Sequence, residues 1–233
     1  MVHYANDDAR PGFNLALERV LLRRAPEPAF WLWHNAPSVI VGRHQDAAAE
    51  VDLAEAARRG VPVHRRASGG GAVYHDRGVV EFSFVLPTAE PVSRALERIV
   101  ALLCAPAAST DRNDVLCGGR KIAGTAQYLC GSRRLFHGCL LYDADLAALA
   151  RLLTPPETKL RRHGVASVRA RVTNLRNLLF RQPAPPPGSF FADLRLRASR
   201  SFAGPLHPVP APWLAEAESL ARTPPFLPLS PTS

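Results

Sequence analysis

Three consecutive glycines, Gly69-Gly70-Gly71, stand between two strand-like runs at 62–66 and 79–86. Neither a helix nor a regular strand passes easily through such a stretch, because a residue without Cβ leaves the backbone maximally free. The segment is therefore read as a loop joining strands. Arg65 and Arg66 precede it, and His75-Asp76 follows it. Glycine amides can approach an anion closely, and guanidinium forks beside them suit phosphate or carboxylate. A tight turn alone would explain three glycines; the flanking residues favour ligand binding. Neither GxxxxGK[ST] nor GxGxxG occurs, so ordinary nucleotide folds are not indicated.

Periodicity places the remaining elements around this loop. Residues 14–22 read as an amphipathic helix capped by Asn14. Residues 29–33 and 38–41 are strand-like, and 52–59 is a short helix closed by Gly60. A helix at 93–103 precedes a strand meander at 115–117, 121–129 and 135–142, with turns at Gly118-Gly119 and Gly131-Ser132. A helix at 145–153 stops at Pro155-Pro156. Helices beside hairpin-linked strands imply an α+β domain with a mixed, largely antiparallel sheet and flanking helices. Residues 183–233 hold 12 of the 22 prolines. Residues 1–181 are thus expected to form the compact domain, and 182–233 a weakly ordered tail with a helix at 213–222.

Among 233 residues, 47% are hydrophobic and 21% charged, which excludes a mostly disordered chain and a coiled coil. No apolar run approaches the ~20 residues of a membrane span, and no signal peptide is visible at the start. Basic residues exceed acidic ones by 29 − 20 = 9, which suits an anionic partner. No aromatic-basic motif for nucleic acid is evident. Only Lys121 and Lys159 are lysines, so 29 − 2 = 27 basic residues are arginine. In an arginine-biased chain, a retained amine points to chemistry that a guanidinium cannot supply. Lys121 opens a strand after a glycine turn, where it can be held rigidly as a point charge. The basic stretch 159–175 reads either as a charged surface loop or as a lid over an anionic intermediate. Cys104, Cys117, Cys130 and Cys139 have no CxxC spacing, so zinc and disulfide frameworks are not indicated and a reducing compartment is expected. Phe30, Trp31 and Trp33 are expected in the core.

These pieces occur in a specific order: Phe13-Asn14-Leu15-Ala16, Leu32-Trp33-His34-Asn35, Val41-Gly42-Arg43-His44-Gln45, the arginine and triple-glycine segment, Arg112-Asn113-Asp114, the Lys121 strand, His137-Gly138, and Ser167-Val168-Arg169-Ala170-Arg171-Val172-Thr173-Asn174. From about residue 13 to 179 the chain resembles the lipoate–protein ligase A and lipoyltransferase family of the biotin/lipoate ligase superfamily. The resemblance implies two half-reactions. Lipoate and ATP, with Mg²⁺, give lipoyl-AMP and pyrophosphate. The lipoyl group then passes to a lysine on a lipoyl domain of a 2-oxoacid dehydrogenase E2 subunit or on the glycine cleavage H protein. By similarity, Lys121 is the catalytic lysine contacting carboxylate and phosphate. Arg66, Ser68, Gly69, Gly70, Gly71 and His75 would line the acyl pocket, with Gly124 and His137 also binding lipoyl-AMP. Asp114 would lie near the nucleotide and its Mg²⁺. Val168, Arg169, Arg171 and Asn174 would belong to the adenylate-binding loop. Neither a membrane nor nucleic acid is an expected partner. The expected compartment is the bacterial cytoplasm or the mitochondrial matrix.

Two departures stand out. The family usually has Gly-Asn after the His-Asp pair, whereas this chain has Arg77-Gly78-Val79-Val80, so one polar pocket group is missing. The family's full-length ligases also carry a C-terminal accessory domain, and here a proline-rich tail follows. That implies a separate accessory subunit, or transfer from preformed lipoyl-AMP only. Two alternatives stay open. One is a cysteine-dependent octanoyl or lipoyl amidotransferase using Cys139 or Cys130. The other is a non-catalytic lipoyl-domain-binding relative. Biotin ligation is disfavoured by the residues at 64–71.

Overall fold

The computed structural model of the protein describes residues 1–26, 28–103, 107–109, 114–154, 172–180 and 183–223. A short strand β1 (Val2–Ala5) leads into α1 (Pro11–Arg24), and then β2 (Ala29–Trp33) and β3 (Ser38–Val41) follow. Two short helices, α2 (Ala47–Glu50) and α3 (Leu53–Arg58), precede β4 (Val63–Arg65), β5 (Val73–His75) and β6 (Val79–Pro87). After α4 (Val92–Leu103) come β7 (Ala107–Ser109), β8 (Asp114–Cys117), β9 (Arg120–Cys130) and β10 (Arg133–Leu141). The described chain ends with α5 (Leu146–Leu152), α6 (Arg176–Leu179), α7 (Pro187–Ala198), a π-turn at Ser199–Ala203, β11 (Leu206–Pro208) and α8 (Ala211–Ala221).

The strands form a sheet of eight in the order β11-β1-β2-β6-β10-β9-β8-β7 and a sheet of three in the order β4-β3-β5. In the large sheet only the β11-β1-β2 pairs are parallel. Alternation along the strands gives its faces different characters. Phe30, Leu32, Phe82, Phe84 and Phe136 share a core with Leu96, Ile99 and Leu102 of α4 and Phe190 and Leu194 of α7. Their neighbours Trp31, Trp33, Val85 and Leu135 share another with Leu17, Val20 and Leu21 of α1 and Ala217 of α8. The small sheet packs Val39, Val41 and Val63 against α3 and α5.

Local chemistry fixes most of the boundaries. Pro11 starts α1, where its missing N–H costs no hydrogen bond. Asn14 lies inside that helix rather than at its cap. Its buried amide donates to the carbonyl of Asp8 at 2.8 Å and to Asn35 Oδ1 at 3.0 Å. Asp52 and Asp145 cap α3 and α5 through their carboxylates. Gly60 ends the α3 segment at φ 64°.

The region after 181 corrects the expectation of a weakly ordered tail. The ring of Phe190 stacks on Tyr142 with centroids 3.7 Å apart. β11 pairs with β1, and α8 lies along α1 with Glu216 and Glu218 bonded to Arg23, Arg24 and Arg10. Prolines here are punctuation: Pro187 and Pro212 occupy first turns of helices, where no N–H is needed. Residues 224–233 lie outside the described residues.

Candidate functional site

Strand register draws a row of side chains across the large sheet. Trp33 pairs with Glu81, Glu81 with Cys139, Cys139 with Gly124, and Gly124 with Asp114. The next row on this face is Trp31, Ser83, His137 and Ala126. The first row, with His137 and Ala126 of the second, Leu15 and Glu18 of α1, Ile40 of β3 and the glycine loop, lines a cleft of about 280 Å³. It lies where the large sheet faces the small one.

Lys121 reaches this cleft through a bulge. Leu116 of β8 pairs with Lys121, yet its neighbour Val115 pairs with Ala123, so Ile122 is an extra residue on β9. In a regular strand without the bulge, Lys121 and Gly124, three residues apart, would point to opposite faces. With it, a Cβ built on Gly124 would stand 3.2 Å from Lys121 Nζ. Ile122 itself is buried in the core. The amine is 2.7 Å from Asp114 Oδ1. Beside it, the Thr173 N–H donates to the Lys121 carbonyl at 2.9 Å, and Val172 bridges to Lys121. The described end of the 168–174 segment therefore docks on the Lys121 backbone.

Arginines build the glycine loop rather than standing free beside it. Arg66 is buried, and its Nη2 donates to the carbonyls of Gly69 at 2.7 Å and Gly71 at 2.8 Å. Its Nη1 donates to the Ile40 carbonyl at 3.1 Å, and its Nε to Ser68 Oγ at 3.0 Å. Arg65 donates to the carbonyls of Gly42 and Gln45 at 2.8 and 2.7 Å. Gly70 takes φ 94°, and its carbonyl lies against Gly42, where a Cβ would meet it at 2.2 Å.

A buried relay ties this loop to the sheet. Trp33 Nε1 donates to Ser83 Oγ at 2.9 Å, and Ser83 donates to Glu18 Oε1 at 2.6 Å. Glu18 also accepts from His137 Nδ1 at 2.8 Å. That fixes His137 Nε2 as the acceptor for the Ser68 hydroxyl, 2.6 Å away. A second buried pair sets His75 Nδ1 2.9 Å from Glu81 Oε1. Burial pulls His75 down, but the Glu81 charge together with contacts to Cys139 and Glu81 outweighs it and takes the imidazole up to about 10. Burial pushes Glu81 up as well. The pair therefore holds its proton through the neutral range. Burial pushes the Cys139 thiol up, and contact with His75 more than reverses this, leaving it below its ordinary value.

Of the residues expected from sequence, Arg66, Gly70, Gly71, His75, Asp114, Lys121, Gly124 and His137 meet in the cleft. Ser68 and Gly69 do not line it; they brace Arg66 and His137 from behind. Asn174 does not line it either. Its buried amide accepts from the Ala144 N–H and donates to the Ala144 carbonyl, so it anchors the loop before α5. Val168, Arg169 and Arg171 lie outside the described residues. Glu18, Glu81 and Trp33 are additions, Trp33 being a core residue that also forms cleft wall, and Cys139, named for the amidotransferase alternative, lines the cleft as well. Glu81 returns a polar group to the pocket one residue beyond Val80, close to where the missing asparagine was expected. Cys130 is exposed on the β9–β10 hairpin and does not line the cleft. Among the described residues, no three His, Cys, Asp or Glu side chains converge as a metal site.

The sheets and cleft define an α+β domain whose cleft brings a lysine and a glycine loop together. Residues 10–186 match the lipoyl protein ligase A/B catalytic domain, and the chain belongs to that family. A Mycoplasma pneumoniae protein named "Probable lipoate-protein ligase A" is 39% identical over 181 residues, which are 72% of this chain and 53% of that one. The chain thus spans about half the length of the curated relatives it matches. The bipartite lipoate protein ligase of Thermoplasma acidophilum, solved in a study with its E2 lipoyl domain, superposes with a TM-score of 0.75 at 25% identity over 95% of this chain and 90% of that one. A lipoate-protein ligase A bound with ATP has the same fold, with a TM-score of 0.72 at 23% identity over 95% and 92% of the two chains.

Proposed function

We propose that this protein is the catalytic domain of a lipoate–protein ligase. It activates lipoate with ATP as lipoyl-AMP and passes the lipoyl group to a lysine amine on a lipoyl domain. One observation carries the reading: the Lys121 amine, turned inward by the bulge at Ile122, sits on the wall of a cleft shared with the glycine loop and Asp114.

Carboxylate attack on the α-phosphate brings two anions together; the acyl C–O–P bond forms as the bond from the α- to the β-phosphate breaks, and pyrophosphate leaves with the electron pair. A fixed ammonium at their junction offsets the repulsion as it builds. Lys121 does this from a rigid strand, so little reorganisation accompanies the reaction. In transfer, the acceptor amine attacks the acyl carbon, the C–O bond to phosphate breaks, and AMP leaves with the electron pair. Lys121 then faces the departing phosphate. Arg66 holds the glycine loop in shape, and His137, held by Glu18 and Ser68, fixes the wall between α1 and β10. When bound, Mg²⁺ would neutralise phosphate charge. Asp114 fits it, because Mg²⁺ commonly takes one or two carboxylates together with substrate phosphates.

Acceptors of this chemistry are lipoyl domains of 2-oxoacid dehydrogenase E2 subunits and the glycine cleavage H protein. A separate accessory subunit is consistent with the bipartite relative. The test supplies the purified chain and a lipoyl domain with either lipoate plus ATP or synthetic lipoyl-AMP. Lipoylation from both feeds marks a complete ligase, and from the second alone a transferase that needs a partner for activation. Lipoylation from neither refutes the reading.

A second reading has one observation in its favour. Cys139 lines the cleft beside His75, and its thiol is more acidic than usual. Its sulfur could take an acyl group from a thioester donor, expelling the donor thiol, and yield it to the acceptor amine. A stable acyl adduct on Cys139 by mass spectrometry, formed without ATP, would favour this route.

A further inference from the structure

Alternation along β9 puts Ala126, Tyr128 and Cys130 on the cleft side of the sheet. Ala126 is cleft wall, and the next two carry that face outward to the β9–β10 hairpin, where Cys130 is exposed. Two guanidiniums stand over the Tyr128 ring. Arg19 of α1 lies 4.9 Å from its centroid, and Arg43, two residues after β3, lies 5.8 Å from it. Both distances are within cation–π range.

Among the described residues, neither of these side chains has a carboxylate partner. Their neighbours differ. Arg10, Arg23 and Arg24 pair with Glu216 or Glu218, and Arg65 and Arg66 are tied to loop carbonyls. Stacking uses the flat face of a guanidinium and leaves its N–H edge open to a carboxylate. Tyr128 therefore holds two unneutralised cations in place with their donors unspent.

The pair is attached to the cleft rim. The Arg43 N–H donates to the Ser68 carbonyl at 2.8 Å, and its neighbour Gly42 lies against the Gly70 carbonyl. Along β9, Tyr128 is 128 − 121 = 7 residues from Lys121, a distance of roughly 20 Å. A protein of ordinary interface size covers about 800 Å² on each side, a patch roughly 30 Å across. One that offers its lysine at Lys121 can cover Tyr128 as well.

We propose that Arg19 and Arg43, set on Tyr128, form a docking surface for the acceptor domain, and that they engage carboxylates on the face that carries the acceptor lysine. The inference rests on the ligase reading above. Other occupants fit worse. A second copy of this chain brings the same net charge of +9 and is repelled. Residues 155–171 hold one acid, Glu157, against five Lys and Arg, so they do not complement the pair. Charges on the rim of an interface steer encounter and select partners, and they leave the chemical step alone.

Transfer from synthetic lipoyl-AMP, measured against lipoyl-domain concentration at low salt and at about 0.5 M salt, tests this. At low salt, the double variant Arg19→Gln with Arg43→Gln should raise the acceptor KM at least about fivefold, with kcat and lipoic acid affinity unchanged. At high salt the difference should largely disappear. Arg19→Lys with Arg43→Lys keeps both charges and should keep most of the acceptor affinity. Cys130 gives a second test on the same face. Cys130→Glu should raise the acceptor KM and Cys130→Lys should lower it, with melting unchanged in both. An unchanged KM in the folded glutamine variant overturns the docking surface. So does a rise that salt does not remove, or an equal shift in the two Cys130 variants. If the glutamine variant does not fold, the Cys130 pair decides. A wild-type protein that transfers nothing at any acceptor concentration would overturn the ligase reading, whereas normal transfer with a KM indifferent to these charges overturns the docking surface alone.

Discussion

The Lys121 amine and the Asp114 carboxylate meet at 2.7 Å across β8 and β9, on the cleft side of the sheet. Both are only partly buried, so the pair contributes little to stability, on the order of 1 kcal/mol or less. Its value is positional: the carboxylate holds the amine against the wall where an acyl-phosphate junction would sit. Asp114→Asn should therefore melt close to the wild-type protein. If Asp114 also serves Mg²⁺ on the nucleotide, ATP–pyrophosphate exchange should fall by roughly tenfold or more, and transfer from preformed lipoyl-AMP should fall less. Equal loss in both assays would remove Asp114 from the nucleotide side.

Gly42→Ala is expected to disturb the glycine loop from outside it. The new Cβ would lie 2.2 Å from the Gly70 carbonyl oxygen, and backbone on both sides leaves little room to give. A cost of about 1–3 kcal/mol is expected from such overpacking. Thermal melting should show the loss, and lipoic acid affinity should drop with it. A variant that binds and melts normally would mean the loop is not set by this contact.

Acid stability should depend on His3. The ring is fully buried beside Phe30, its Nδ1 is 3.1 Å from Ser199 Oγ, and burial lowers its pKa to about 4. The folded value lies below the unfolded value of 6.5, so the unfolded chain binds the proton first. The stabilisation is complete above pH 6.5 and is lost as pH falls toward 4. A shift of 6.5 − 4 = 2.5 corresponds to about 3 kcal/mol at most. Urea melts at pH 7 and pH 4.5 should show a steeper loss for the wild-type protein than for His3→Gln. Parallel losses would place the acid sensitivity elsewhere.

Removing residues 205–233 should destabilise the domain rather than trim a tail. The cut uncovers the β1 edge and the face of α1 that meets Trp213 and Ala217. A lower melting temperature with weaker cooperativity is expected. An unchanged melt would restore the view of this region as dispensable.

Much of this architecture can be read from residues alone. The meander shows itself because Gly118 and Gly119 take positive φ and the strands beside them are apolar. Strand β1 and the edge strand β11 are too short to show a pattern, and they exist because of backbone pairing. The proline-rich composition hid α7, since composition does not reveal that Pro187 falls in a first turn, whereas the helix expected at 213–222 is α8. At the site, the rarity of lysine singled out Lys121, but the bulge that aims it depends on pairing with β8. The resemblance assigns Ser68, Gly69 and Asn174 to ligand, and only the fold shows that they bond Arg66 and the Ala144 backbone. Glu81 was legible and passed over: it is the only charge in the buried run VVEFSFVLP, where an ionisable group needs a reason.

Transfer of the lipoyl group from synthetic lipoyl-AMP to a lipoyl domain, measured for Lys121→Ala beside the wild-type chain, tests the account most directly. Loss of a preorganised cation should slow transfer by at least about 100-fold, close to 3 kcal/mol, with melting unchanged. A folded Lys121→Ala protein that transfers at nearly the wild-type rate would contradict it.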